Sequence, residues 1–154
     1  MKYWLLKSEP DTFGIDDLET APRSTTAWDG VRNYQARNML RDEFRRGDLA
    51  FFYHSSCKEP GIAGIVKVVR AGYPDPSALD RNSPYFDPQS DPKSPRWYSV
   101  DVKLDRRIDP PITLKELRKR QRDALKDMLL LRRGNRLSVT PVTVDEWNTI
   151  LGMR

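Results

Sequence analysis

One cysteine and one histidine are all that this 154-residue chain offers as soft metal ligands. Cys57 has no partner for an internal disulfide, which fits a reducing compartment. His54 and Cys57 together fall short of the four ligands of a structural zinc site, so no metal is expected. Nowhere does an apolar run approach the roughly eighteen residues of a membrane helix. The opening MKYWLLKSEPD places acid and proline directly after a short apolar stretch, unlike a signal peptide, so no membrane partner is expected. The chain also lacks a GxGxxG loop, a Walker loop and an HExxH pair. Strands and helices do not alternate as βαβ units, which argues against a doubly wound nucleotide-binding sheet. There are no internal repeats and no low-complexity tails. No cofactor is expected.

What remains describes one domain over residues 1–154, long enough for a core of its own. Mean hydropathy is −0.72 and 38% of residues are apolar, a small core with wet edges. The net charge of +5 is concentrated. Residues 115–136 carry nine basic groups against three acidic ones, so that segment is +6 and the remainder −1. A local excess of this kind suits contact with a polyanion backbone, and Arg118, Lys119 and Arg122 are its leading candidates. A solvated helix face is the alternative.

Lys2–Lys7 reads as a buried strand turned out by Glu9-Pro10-Asp11, with a short helix at Ile15–Glu19 and an irregular loop over residues 20–32. From Asn33 the spacing predicts a helix. Ala36, Met39, Leu40 and Phe44 form its apolar face, Arg37, Arg41 and Arg45 form a basic stripe, and Gly47 stops it. Leu49–His54 and Ile62–Arg70 form an expected hairpin, with Gly64 marking a bulge or close approach. Residues 73–96 are a Pro- and Asp-rich surface loop. Tyr98, Val100, Val102 and Leu104 alternate along a half-buried strand over 97–108. Thr113/Glu116 and Thr143/Glu146 are capping boxes, each with an apolar staple. A short helix over 127–132 and a short strand over 137–139 complete an α+β domain, with a small curled sheet and helices around it.

The segment TTAWDGVRNYQARN (25–38) stands apart. A loop tryptophan, Trp28, lies among planar amides and guanidinium forks: Arg32, Asn33, Tyr34, Gln35, Arg37 and Asn38. These groups can stack a planar heterocycle and read its edge, whereas a catalytic centre more usually pairs a nucleophile with a base. An exposed aromatic of this kind is worth roughly 1–3 kcal/mol per stacked base.

Several strings in order along nearly the whole chain resemble the EVE domain family: YWLLKSEP, TTAWDGVRNYQARN, AFFYHSSCKEPGIAG, YPDPSALD with SPYFDP, PRWYSVDVKL and NRLSVTPVTVDEW. The resemblance implies a PUA-like fold, a small mixed β-barrel flanked by helices, similar in architecture to YTH readers of methylated adenine. It implies binding of modified bases, especially modified cytosines such as 5-methylcytosine in DNA, without a reaction of its own. In YTH readers a tryptophan in a similar place to Trp28 forms one wall of the cage. Residue 2 already begins the first strand, so no basic tail or nuclear address carries over, and a cytoplasmic setting is expected. Any downstream effect would need a separate effector protein.

On that frame Lys7, Ser8 and Glu9 end the first strand where the pocket opens. Ser8 can donate to a base carbonyl, Glu9 can accept from cytosine N4, and Lys7 suits a phosphate. Arg32, Asn33 and Tyr34 form the next wall, although Asn33 is equally suited to cap a helix. His54 and Ser55 close another strand, and no acidic orienter or nucleophile elbow accompanies them. Arg136, Leu137 and Ser138 offer an apolar wall opposite Trp28 and a further fork. Arg37 and Arg41 join the phosphate candidates. The leading expectation is a non-catalytic reader of a modified base in DNA. An RNA-binding module or a nucleoside-acting enzyme using Glu9 or His54 are the alternatives.

Overall fold

The computed structural model describes residues 1–154. Six strands make one mixed sheet: β1 (Tyr3–Ser8), β2 (Thr25–Trp28), β3 (Leu49–His54), β4 (Gly61–Pro74), β5 (Tyr98–Thr113) and β6 (Val139–Val142). The helices are α1 (Pro10–Phe13), α2 (Ile15–Thr20), α3 (Tyr34–Asn38), α4 (Leu114–Arg118) and α5 (Val144–Leu151). Spatial order is β2-β5-β4-β3-β1-β6, with β1 and β3 parallel and the other pairs antiparallel. The class is α+β, as expected.

The sheet is not a closed barrel, which corrects the expected geometry. β2 bonds only to β5 and β6 only to β1, so both ends are free. The sheet curls instead, because residues from its two ends face one cleft: Thr26, Ala27 and Trp28 from β2, Lys7 and Ser8 from β1, and Ser138 ahead of β6. Pro10, at the first position of α1, takes the chain out of the sheet as β1 ends. Thr12 and Phe13 then line the cleft between the two ends.

Alternation along the central strands divides the interior into two cores. Trp4, Leu6, Phe52, Val66 and Val102 belong to one cluster of 18 buried residues, completed by Leu18 of α2 and Ala36 of α3. Leu5, Phe51, Tyr53 and Ile65 belong to another of 15, completed by Leu117 of α4 and Trp147 of α5. With both faces covered, β3 reads as a continuous apolar run. The expected alternation of β5 holds, since Tyr98, Val100, Val102 and Leu104 all reach the first core. Both capping boxes form: Thr113 and Thr143 each accept from the amide of the glutamate three residues on, at 3.1 Å.

Gly64 is a close approach, as its place in the strand predicts. A Cβ there would come within 2.8 Å of Ile15 and 2.9 Å of the Arg106 carbonyl. The strand expected over 137–139 lies instead at Val139–Val142, and the helix expected over 127–132 is a single 3-10 turn at Leu129–Leu131. Two further elements differ from expectation. The stretch read as a loop over 20–32 contains β2, whose four residues are too few to show alternation. The helix after Asn33 keeps its regular form only to Asn38 and continues as a π turn over Met39–Glu43. The wider turn still buries Met39, Leu40 and Phe44.

Phe52, on central strand β3, stands edge-on to Trp28 with ring centroids 5.5 Å apart and planes at 87°. It is fully buried and supports the indole from the core side. Phe52→Ala is expected to cost about 3–5 kcal/mol in urea unfolding. A loss below about 1 kcal/mol would mean that the indole does not rest on this ring.

Candidate nucleic-acid interface

The cleft between the sheet's two ends has a volume of about 440 Å³, within the roughly 300–1,000 Å³ range of small-ligand pockets. Its walls come from the end of β1, from α1, from β2 and the segment after it, and from Tyr85 and Ser138. Trp28 does line it, but not as an exposed loop residue. The indole ends β2, is only 8% exposed, and packs into the first core. The physical reason is pairing with β5: Trp28 lies opposite Val100, and its carbonyl accepts from the buried Ser99 hydroxyl at 3.1 Å.

A buried carboxylate fixes the wall beyond Trp28. Asp75 accepts from the Gly30 amide at 2.9 Å, from Arg32 Nη1 at 3.0 Å, and from the Ser77 amide and hydroxyl at 2.8 and 2.6 Å. Burial alone would raise its pKa. The hydrogen bonds from Ser77, Gly30 and Arg32 outweigh that and hold it below the ordinary value. Arg32 also donates to the Tyr85 carbonyl at 2.6 Å, so one guanidinium joins the cleft wall to the Pro-rich loop. That loop presses Tyr85 against Gly30, where a Cβ would lie 2.7 Å from the ring. Gly30 has φ +75°, so this position needs glycine on both counts.

Polar groups in the cleft differ in how fully they are engaged. The Ser8 hydroxyl donates to the Phe13 carbonyl at 2.6 Å. Lys7 is half-buried with no carboxylate partner, and desolvation lowers its pKa. Glu9 caps α1 with its backbone and leaves its side chain at the exposed lip. Asp29 follows Trp28 directly, is solvent-exposed, and has no partner for its carboxylate beyond its own backbone amide. Desolvation and then the neighbouring Asp75 carboxylate raise its pKa, against opposing effects of a backbone hydrogen bond and Arg32.

Several other candidate side chains lie outside the cleft. Asn33 accepts from the Ala36 amide at 3.0 Å and caps α3. Tyr34 is exposed and stacks on Trp97 with centroids 4.9 Å apart, with Arg37 over its outer face. His54 points behind the cleft, where Nε2 accepts from the Ile15 amide at 3.1 Å. Ser55 donates its amide to the Ser8 carbonyl. Leu137 packs on the first core and Arg136 is exposed beside it.

Local partners occupy the arginine stripe. Arg37 donates to the Arg96 carbonyl at 2.6 Å, Arg41 pairs bidentately with Asp42 at 2.8 Å, and Arg45 donates to the Asp42 and Phe44 carbonyls. In segment 115–136, by contrast, Arg120 alone has a carboxylate partner, Asp123 at 3.7 Å. Arg118, Lys119 and Arg122 are exposed and free of ion pairs.

Sequence reasoning missed Tyr85, Phe13, Thr12, Val31 and the role of Asp29. Tyr85 left a signal, since two aromatics side by side in a polar, Pro-rich loop are hard to explain as solvent-facing. The other four carried none, because their exposure to the cleft depends on how the sheet curls.

The EVE domain family model matches residues 2–153. Human thymocyte nuclear protein 1 is 45% identical over 166 residues, covering 98% of this chain and 73% of that protein. Among solved structures, human THYN1 protein in complex with 5-methylcytosine-containing DNA superposes with a TM-score of 0.94 at 43% identity, covering 99% of this chain and 97% of that one. A Pseudomonas putida protein superposes with a TM-score of 0.91 at 46% identity, covering 98% of each chain.

The bond from Ile15 requires an unprotonated His54 Nε2. Desolvation lowers the His54 pKa from its ordinary 6.5, against a smaller raising effect of Asp16. An unfolded chain therefore takes this proton at a higher pH than the folded one. The contribution to stability is complete above about pH 7 and is lost as pH falls from there through the folded pKa. NMR titration of the native ring should give a midpoint below 6.5. A midpoint at or above that value would show that the acceptor role is not what holds the ring.

Proposed function

The chain belongs to the EVE domain family, and from that premise we propose that it is a non-catalytic nucleic-acid-binding domain that reads a modified cytosine in DNA. The observation that carries this reading is the superposition on human THYN1 protein in complex with 5-methylcytosine-containing DNA, at a TM-score of 0.94. The cleft supports it. Its volume suits one small planar ligand, Trp28 and Tyr85 give it aromatic walls, and unpaired polar groups border it. A base flipped out of its stack enters between the sheet's ends, and stacking with backbone contacts offsets a flipping cost of a few kcal/mol. Unpaired cations of segment 115–136 supply those backbone contacts.

A binding role also fits how the candidate reactive groups are engaged. His54 Nε2 is taken by a backbone amide and the Ser8 hydroxyl by a carbonyl, which leaves neither arranged as a base with its nucleophile.

The direct test is titration of matched oligonucleotides with 5-methylcytosine or cytosine at one position, with an RNA counterpart alongside. Burying one methyl group is worth about 0.8 kcal/mol, so roughly four-fold tighter binding of the methylated DNA is expected. Equal affinity for methylated and plain DNA would end the reader interpretation, and preference for the RNA would redirect it. Reversing the charge of Arg118 and Arg122 together is expected to weaken binding to every sequence alike. It should also reduce the slope of log affinity against log salt by about 2. An unchanged slope would remove this segment from the interface.

A further inference from the structure

If the cleft holds 5-methylcytosine, as the reading above has it, its aromatic walls leave one discrimination unsolved. Thymine carries the same methyl on the same ring carbon and offers a similar face for stacking. The two bases differ at the edge: cytosine presents an amine donor at position 4 and an acceptor at N3, thymine a carbonyl and an N–H. Only a polar group directed at that edge can separate them.

We propose that Asp29 accepts a hydrogen bond from the exocyclic amine and thereby selects cytosine derivatives against thymine. Two acidic residues line the cleft, Glu9 and Asp29. Both are solvent-exposed, and Glu9 sits at the start of α1 on the opposite wall. Asp29 follows Trp28 without an intervening residue and lines the same cleft. The nearby Asp75 is unsuited to this job, because all its capacity goes to Gly30, Arg32 and Ser77. Asp29 has no ion pair, and its carboxylate is engaged only by its own backbone amide. Desolvation and the adjacent Asp75 charge disfavour its anion, a cost that an arriving amine donor relieves. A carboxylate facing the thymine carbonyl would set acceptor against acceptor, so rejection accompanies recognition.

The test compares wild type, Asp29→Asn and Glu9→Gln on one oligonucleotide carrying 5-methylcytosine, cytosine or thymine at a single position. Wild type should prefer 5-methylcytosine over thymine by roughly tenfold or more. Asparagine also offers an N–H to the thymine carbonyl, so Asp29→Asn should bring that ratio to within about threefold. Its preference for 5-methylcytosine over cytosine and its melting temperature should stay near wild type, and the thymine ratio should fall further in Asp29→Asn than in Glu9→Gln. If wild type separates 5-methylcytosine from cytosine but not from thymine, the amine is not read and the proposal falls. An Asp29→Asn protein with undiminished discrimination against thymine overturns it too, as does a collapse of that ratio in Glu9→Gln. Failure of wild type to separate 5-methylcytosine from cytosine is a different result, since it overturns the reader function itself.

Discussion

The buried Asp75 carboxylate is the constraint on which the cleft depends. It ties the backbone just past β2 to the end of β4, and through Arg32 it secures the loop that carries Tyr85. None of these segments is held by sheet hydrogen bonds over its whole length. Without the carboxylate, Gly30, Arg32 and Ser77 would lose a shared acceptor together, and the wall facing α1 would have no fixed position. A buried anion with four donors tolerates little rearrangement, because each lost bond strands charge in a dry site. Rigidity there is suited to a slot that must keep its width while empty.

The remaining architecture separates support from contact. The first core seats the indole on Phe52 and ties both sheet ends into one packed unit. The second core anchors α4, α5 and the turns carrying the basic segment. Each face of the sheet therefore backs one part of the proposed interface: a shaped slot on one side and a diffuse field of unpaired cations on the other. The slot is specific and the field is not, as base contacts differ from phosphate contacts in general.

Much of this was legible in the sequence wherever the signal was local. Capping boxes at Thr113 and Thr143, the β3–β4 hairpin, alternation along β5 and the close approach at Gly64 all follow from spacing alone. Trp28 was legible as an aromatic of the cleft, yet its burial was not, because a four-residue edge strand has no periodicity to betray it. Asn33 shows the opposite difficulty. Its amide suits a ligand and a helix cap equally, and only coordinates reveal that the cap has it. Closure of the sheet was equally hidden, since it turns on whether β2 and β6 meet, a relation between residues more than a hundred positions apart. Tyr85 and Asp29 became visible as cleft residues only once that long-range geometry was known.

An unclosed sheet has an aperture, and the curvature of the long β4–β5 ribbon sets its width. That ribbon departs from regular register at several points, among them the step from Ile62 to Gly64, far along the chain from the residues at the opening. A small change in bend there would widen or narrow the gap between β1 and β2 without altering any group that touches a ligand. Ligand preference in this architecture is thus partly a mechanical property of the scaffold. It is open to adjustment by substitutions in the ribbon that a catalogue of contacting residues would overlook.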